Sequence, residues 1–254
     1  MDFDLVVQGP LDNVSLNFVL GKCCHPQFKN IIISHWDEDL ADPVEPNYSE
    51  LRNQISTQIV SQSLPDLNKT FFTLKDSTFF YSLTSTYAGL KKCTSPYVVK
   101  MRSDEYFTNF TPLKEKFLND TNKLVCGNIF FKNWNFKPYH IGDHLFVSKR
   151  ESLLRTYETL LDVYEGKKDE PWAHHSVVEK NTAEEILAKS YLTAKEAPRN
   201  TWADKKTLLK YFDVVDINQL SPYTARWKHG GVTYSSGGVK FANVNSVISD
   251  IKHV

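Results

Sequence analysis

Three isoleucines stand in a row at Ile31-Ile32-Ile33, with no polar residue among them. A strand with one wet face alternates polar and apolar residues. A short, unbroken apolar run instead fits a strand covered on both faces. Residues 3–7 and 97–101 read the same way, being short, rich in β-branched side chains and bounded by breakers or charges. Between these runs, apolar residues recur three or four apart. Leu51, Ile55 and Ile59 predict a helix over 49–63 with Ser49 as its N-cap. Phe80, Leu83, Tyr87 and Leu90 predict another over 79–92. Strand thus alternates with helix, which implies an α/β chain with a parallel, doubly wound sheet.

The remainder continues the pattern less regularly. Gln8-Gly9-Pro10 breaks the first strand, and a helix from Asp12 would put Val14 and Phe18 on one face. A short strand is expected over 70–74. Thr111-Pro112 opens a helix, with proline in the first turn where its missing N–H costs nothing. Strands are expected over 124–131, 144–148 and 213–217, and an irregular aromatic stretch over 133–140. A strong helix spans 150–164, with Leu153, Leu154, Tyr157, Leu160, Leu161 and Tyr164 on one side. A loop covers 166–175. A helix over 182–192 opens with a capping box, Thr182 and Glu185, and one more covers 201–212. The stretch 226–238 holds WKHGG and SSGG and is expected to be a mobile loop.

Charge narrows the function. Lys and Arg total 30 and Asp and Glu total 30, so no global field draws the chain to nucleic acid or to a membrane surface. No run is long enough for a membrane span, and the first apolar run begins at Phe3 without a basic leader. Cys23, Cys24, Cys93 and Cys126 lack metal spacing and read as free thiols.

Chemistry concentrates where strands end. In open α/β sheets ligands bind beyond the carboxyl ends of the strands. The strand over 97–101 delivers Arg102, Ser103, Asp104 and Glu105 there, with Lys100 just before. Two carboxylates beside two cations suit a hard divalent ion, Mn²⁺ or Mg²⁺, together with a phosphate. Asp104 has an alternative role, pairing with Arg102 or capping the next helix. Gly9 lets a ligand approach the backbone, and Pro10 stiffens the exit. After the isoleucines, Trp36 is placed to stack on a nucleobase and Asp37 to accept a base N–H, unless that acidic tail is a solvated loop. His229, in WKHGG, would reach the metal if its loop closed over a diphosphate with Lys228, and is otherwise an exposed loop tip.

These segments together resemble a family. VVQGP from Val6, LRNQIST from Leu51, STYAGLKKCTSPYVVKMRSDEYF from Ser85, IGDHLFVSKRESLL from Ile141 and AEEILAKSYL from Ala183 resemble the WavE-type lipopolysaccharide-synthesis proteins of bacteria and large DNA viruses. The likeness runs over roughly residues 3–192 and is most specific over 85–105. It implies a GT-A fold: a Rossmann-like, mixed but mainly parallel sheet flanked by helices. The expected domain is single, 1–254. Residues 1–110 would form the nucleotide-sugar half, 111–200 the acceptor half, and 201–254 an extension with a flexible loop. The implied activity is transfer of a sugar from a nucleotide-diphosphate donor to a glycan acceptor, metal-assisted and inverting. The protein would work in the cytoplasm, with any membrane association made through the acceptor.

The resemblance also distributes roles. Gln8, Gly9 and Ser103 would line the nucleotide, with Asp37 near the base, and Arg52 and Ser85 would face the donor. RSDE stands where the family's fold carries D-x-D. Asp104 becomes the best metal ligand and Glu105 the second, while Lys100 and Arg102 are left to neutralise phosphate. The base that deprotonates the acceptor would open a helix, which points to Glu184, since Glu185 already has a capping role. Asp143 is the rival, or binds donor-sugar hydroxyls. Two other classes compete with transfer. One is a degenerate transferase fold that binds a nucleotide sugar or glycan without turnover. The other is a metal-dependent nuclease or nucleotidyltransferase, which the neutral charge disfavours.

Overall fold

A computed structural model of the chain describes residues 1–9, 27–36, 56–62, 74–128, 139–170, 172, 182–202, 204–220 and 222–224. Seven strands form the main sheet: β1 (Phe3–Gln8), β2 (Asn30–Trp36), β3 (Ser56–Gln62), β4 (Tyr97–Arg102), β6 (Leu124–Gly127), β7 (Leu145–Lys149) and β8 (Phe212–Val215). Their order is β3-β2-β1-β4-β7-β6-β8. Every neighbouring pair is parallel except those made by β7, which runs against both β4 and β6. The sheet is thus mixed and mainly parallel, as the family resemblance implies. A second sheet of two short antiparallel strands joins β5 (Glu105–Phe107) to β9 (Pro222–Thr224).

The apolar runs behave as their composition requires. Every residue of β1 and β2 is buried. Alternate side chains of one strand enter two separate cores. Leu5 and Val7 join Ile31, Ile33, Val99 and Met101 on one face, covered by Leu113 and Phe117 of α2 (Thr111–Asn119). Val6 joins Ile32, Val98 and Phe146 on the other face. There three helices pack side by side: α1 (Leu74–Lys92), α3 (Arg150–Tyr164) and α4 (Ala183–Ala194). The short α5 (Lys205–Tyr211) leads into β8. Helix α1 approaches β1 so closely that a Cβ on Gly89 would lie 2.7 Å from Val6 Cγ1.

Several elements differ from the sequence expectation. Residues 56–62 form a strand, not the second half of a helix. Thr57, Ile59 and Val60 are β-branched and favour extended backbone, and β2 supplies a parallel partner along the whole length. Leu74 opens α1 instead of closing a strand. The 201–212 helix is α5 alone, preceded by a 3₁₀ turn at Arg199–Thr201. His144 belongs to the segment before β7, not to the strand. Strands β8 and β9, from the expected extension after residue 200, are built into the two sheets.

Candidate functional site

The carboxyl ends of β1 and β4 lie side by side, with Gln8 opposite Arg102 in the register. Just beyond them the two chains touch. Ser103 N–H donates to the Gln8 carbonyl at 2.8 Å. Gly9 takes φ +129°, a region that side chains other than glycine rarely enter, and a Cβ there would lie 2.7 Å from Ser103 Oγ. The Gln8 amide oxygen accepts from Ser82 Oγ of α1 at 3.0 Å. The first strand therefore ends in bare backbone fixed from two sides.

Beside this turn stands a cluster of charges. Arg102 donates from Nε and Nη2 to the two oxygens of Asp104, both at 2.8 Å. The Arg102 and Asp104 side chains are 29% and 27% exposed, and the carboxylate holds the guanidinium well above its usual range. Lys100 is buried and donates to the Asp143 carbonyl at 2.7 Å. Burial pushes its ammonium down to about 8. Glu105, 1% exposed, accepts from His144 Nδ1 at 2.6 Å. The other nitrogen of that ring lies 3.5 Å from Asp143 Oδ1, so the ring stands between the two carboxylates. Burial alone would raise the Asp143 carboxyl. The charges of His144, Lys100 and Arg102 outweigh it and hold the group below its ordinary value.

A second carboxylate reaches the same segment. Glu184, in the first turn of α4, lies 3.6 Å from His140 Nε2. His140 and Asp143 are three residues apart, so their Cα atoms lie within about 11 Å of each other. The segment 140–144 thus joins the α4 N-terminus at one end to the β4 cluster at the other. Glu185 is turned away from this pairing: its carboxylate accepts from Thr182 N–H at 2.7 Å, as the capping box predicts.

Other expected site residues have structural duties. Trp36 is 6% exposed and packs edge-on against Tyr81, with ring centres 5.5 Å apart. A base could stack on it only by displacing that ring. Ser85 is buried and donates to the Ser34 carbonyl at 2.9 Å, while Ser34 Oγ donates back to the Ser85 carbonyl at 2.6 Å. This reciprocal pair staples α1 to β2. Pro10, Asp37, Arg52 and His229 lie outside the described residues. Sequence reasoning left His140 and His144 without roles. Their spacing of four, around Asp143, is the signal that could have linked them.

The acidic pair does not fit a divalent cation as it stands. Both Asp104 oxygens are engaged by Arg102, and Glu105 is buried against His144. Among the described residues no group of three His, Cys, Asp or Glu side chains is arranged to hold a metal. The expectation of Asp104 and Glu105 as joint ligands meets this obstacle because position 102 is a cation, and a neighbouring guanidinium claims the carboxylate first.

A family model described as WavE lipopolysaccharide synthesis matches residues 4–206. No curated protein matches the chain. Among solved structures it is similar to S. aureus TarS at 12% identity, covering 85% of this chain and 35% of TarS, with a TM-score of 0.45. It is similar to a structure of S. aureus TarS 1-349 at 15% identity, covering 76% of this chain and 56% of that one, with a TM-score of 0.41. The chain therefore spans less than two thirds of either. No helix among the described residues is long and apolar enough to cross a membrane.

Proposed function

This chain belongs to the WavE lipopolysaccharide synthesis family, and from that premise we propose that it moves a sugar from a nucleotide-diphosphate donor to a glycan acceptor, with inversion. Family membership supports a glycosyltransferase of cell-surface glycan synthesis. The observation that carries the finer reading is the 140–144 segment, which meets Glu184 through His140 and carries Asp143 beside the β4 cluster.

The two carboxylates divide the work. Asp143, held ionised by the cations around it, is a poor base but a good acceptor for donor-sugar hydroxyls. Glu184 takes the proton of the acceptor hydroxyl as that oxygen bonds to the anomeric carbon. The bond from the anomeric carbon to the diphosphate breaks, and its electron pair leaves with the phosphate oxygen. The donor would lie at the end of β1, where Gly9 and Ser103 meet.

A panel of nucleotide sugars in a thermal-shift assay tests the reading. A ligand that binds the folded state alone raises the melting point by mass action, so one donor is expected to stabilise the protein and then to release its nucleoside diphosphate when an acceptor is supplied. If no nucleotide sugar moves the melting point, the reading is wrong. A second reading, a binding module without turnover, is favoured by one observation, the Arg102–Asp104 pair in place of D-x-D. Stabilisation without any release of nucleotide would select it.

A further inference from the structure

We propose that Arg102, and not a divalent cation, meets the diphosphate as it leaves the sugar; this rests on the glycosyltransferase reading above. Arg102 closes β4 opposite Gln8, one residue before the serine that lies against Gly9. The guanidinium therefore stands at the same rim as the turn that ends the first strand. Asp104 takes Nε and Nη2 and fixes the plane of the group. A guanidinium has five N–H donors, and Nη1 makes no hydrogen bond with any described residue. The side chain remains 29% exposed. That free edge is a planar donor of the geometry that phosphate oxygens accept.

Both oxygens of Asp104 and one oxygen of Glu105 are already engaged by cationic side chains or by His144, which leaves Glu105 Oε2 as the one oxygen of that pair without a hydrogen bond among the described residues. To recruit Asp104, a metal would have to strip it from a two-bond pair and then sit against the guanidinium it released. Glu105 is 1% exposed and holds His144 through Oε1 at 2.6 Å, so a metal could reach only its other oxygen, from inside the protein. A second positive charge already lies behind the first: the Lys100 ammonium is bonded to the Asp143 carbonyl, a neutral group. As the anomeric carbon–oxygen bond breaks, its electron pair passes to the diphosphate. The guanidinium remains charged throughout and transfers no proton, so charge on the leaving group is met without a metal.

Binding of UDP, GDP, CDP and dTDP by titration calorimetry, in excess EDTA and again in Mn²⁺, tests this on the full chain. One nucleoside diphosphate is expected to bind within about twofold of the same affinity in both conditions. Arg102→Ala should weaken it by on the order of 10–100-fold, the usual loss for a charge-assisted contact. Asp104→Asn should weaken it by about fivefold or less, because the amide oxygen still accepts one N–H from Arg102. A metal ligand would give the reverse order. Should Arg102→Ala not fold, Arg102→Lys keeps the charge but loses the planar fork, and about tenfold weaker binding is expected. Binding that needs Mn²⁺, or that Asp104→Asn abolishes and Arg102→Ala keeps, overturns the proposal while leaving the transferase reading intact. Binding of no nucleotide in either condition removes that reading and this proposal with it.

Discussion

Asp4 lies at the end of the sheet opposite the candidate site and shows how one residue can hold a fold. Fully buried, it accepts from Asn30 Nδ2, Thr94 N–H, Ser95 N–H and Ser95 Oγ at 2.7–2.8 Å. It therefore ties β1 to β2 and fixes the turn between α1 and β4. Asp4→Ala strands all these donors at once, and a loss of about 3 kcal/mol in urea unfolding is expected. At the site end, Gly9→Ala should cost about 1–3 kcal/mol, since both φ and the Ser103 contact oppose a Cβ. Adding Ser103→Ala removes the clash but not the strain, so the double variant should recover only part of the loss.

Lys100 supplies a pH signature. Its folded-state value is about 8 against an ordinary 10.5. Between those two values the unfolded chain binds a proton that the folded chain does not, so this residue adds stability as pH rises through that window. Relative to Lys100→Met, the wild type should gain on the order of 3 kcal/mol between pH 8 and 10.5. Denaturant midpoints of the two proteins across that range check it; parallel curves would show that the ammonium is not desolvated.

At the scale of elements, α4 separates capping from chemistry in two adjacent residues. Glu185→Ala should lower stability by about 1 kcal/mol through loss of its Thr182 bond, with transfer retained. Glu184→Gln should leave stability and donor binding unchanged and lower transfer by about 100-fold or more, the scale of a lost general base. Rate measurements on both variants, with melting points as controls, decide between them. Helix α4 and its box were legible because capping is local: Thr182 and Glu185 need only each other. The strand β3 was not. Leu51, Ile55 and Ile59 fit a helical spacing, while Thr57, Ile59 and Val60 fit a strand. The choice was made by β2, which offers a register from Asn30 to Trp36 that no local pattern reveals. The same holds for β5 and β9, three residues each, whose pairing spans over a hundred positions of sequence.

For the molecule as a whole, the order of the sheet was partly written in composition. Apolar runs without a polar face announced buried, parallel strands, and these became β1, β2 and β4, neighbours in the sheet. The antiparallel β7 could not be seen, since strand direction depends on where the chain re-enters the sheet. Site residues divide the same way. Position at a strand's end gave Gly9 and Arg102. The engagement of Asp104 by Arg102, of Glu105 by His144 and of Ser85 by Ser34 needed side-chain geometry. What unites the account is one rim, where β1 and β4 end, beside Asp143 and Glu184. The most direct test is a crystal structure of the protein with the nucleoside diphosphate it binds. We predict the nucleotide against Gly9, with its diphosphate within hydrogen-bond distance of Arg102. Density for it at the Asp4 end of the sheet, or on a face remote from both strand ends, would contradict the account.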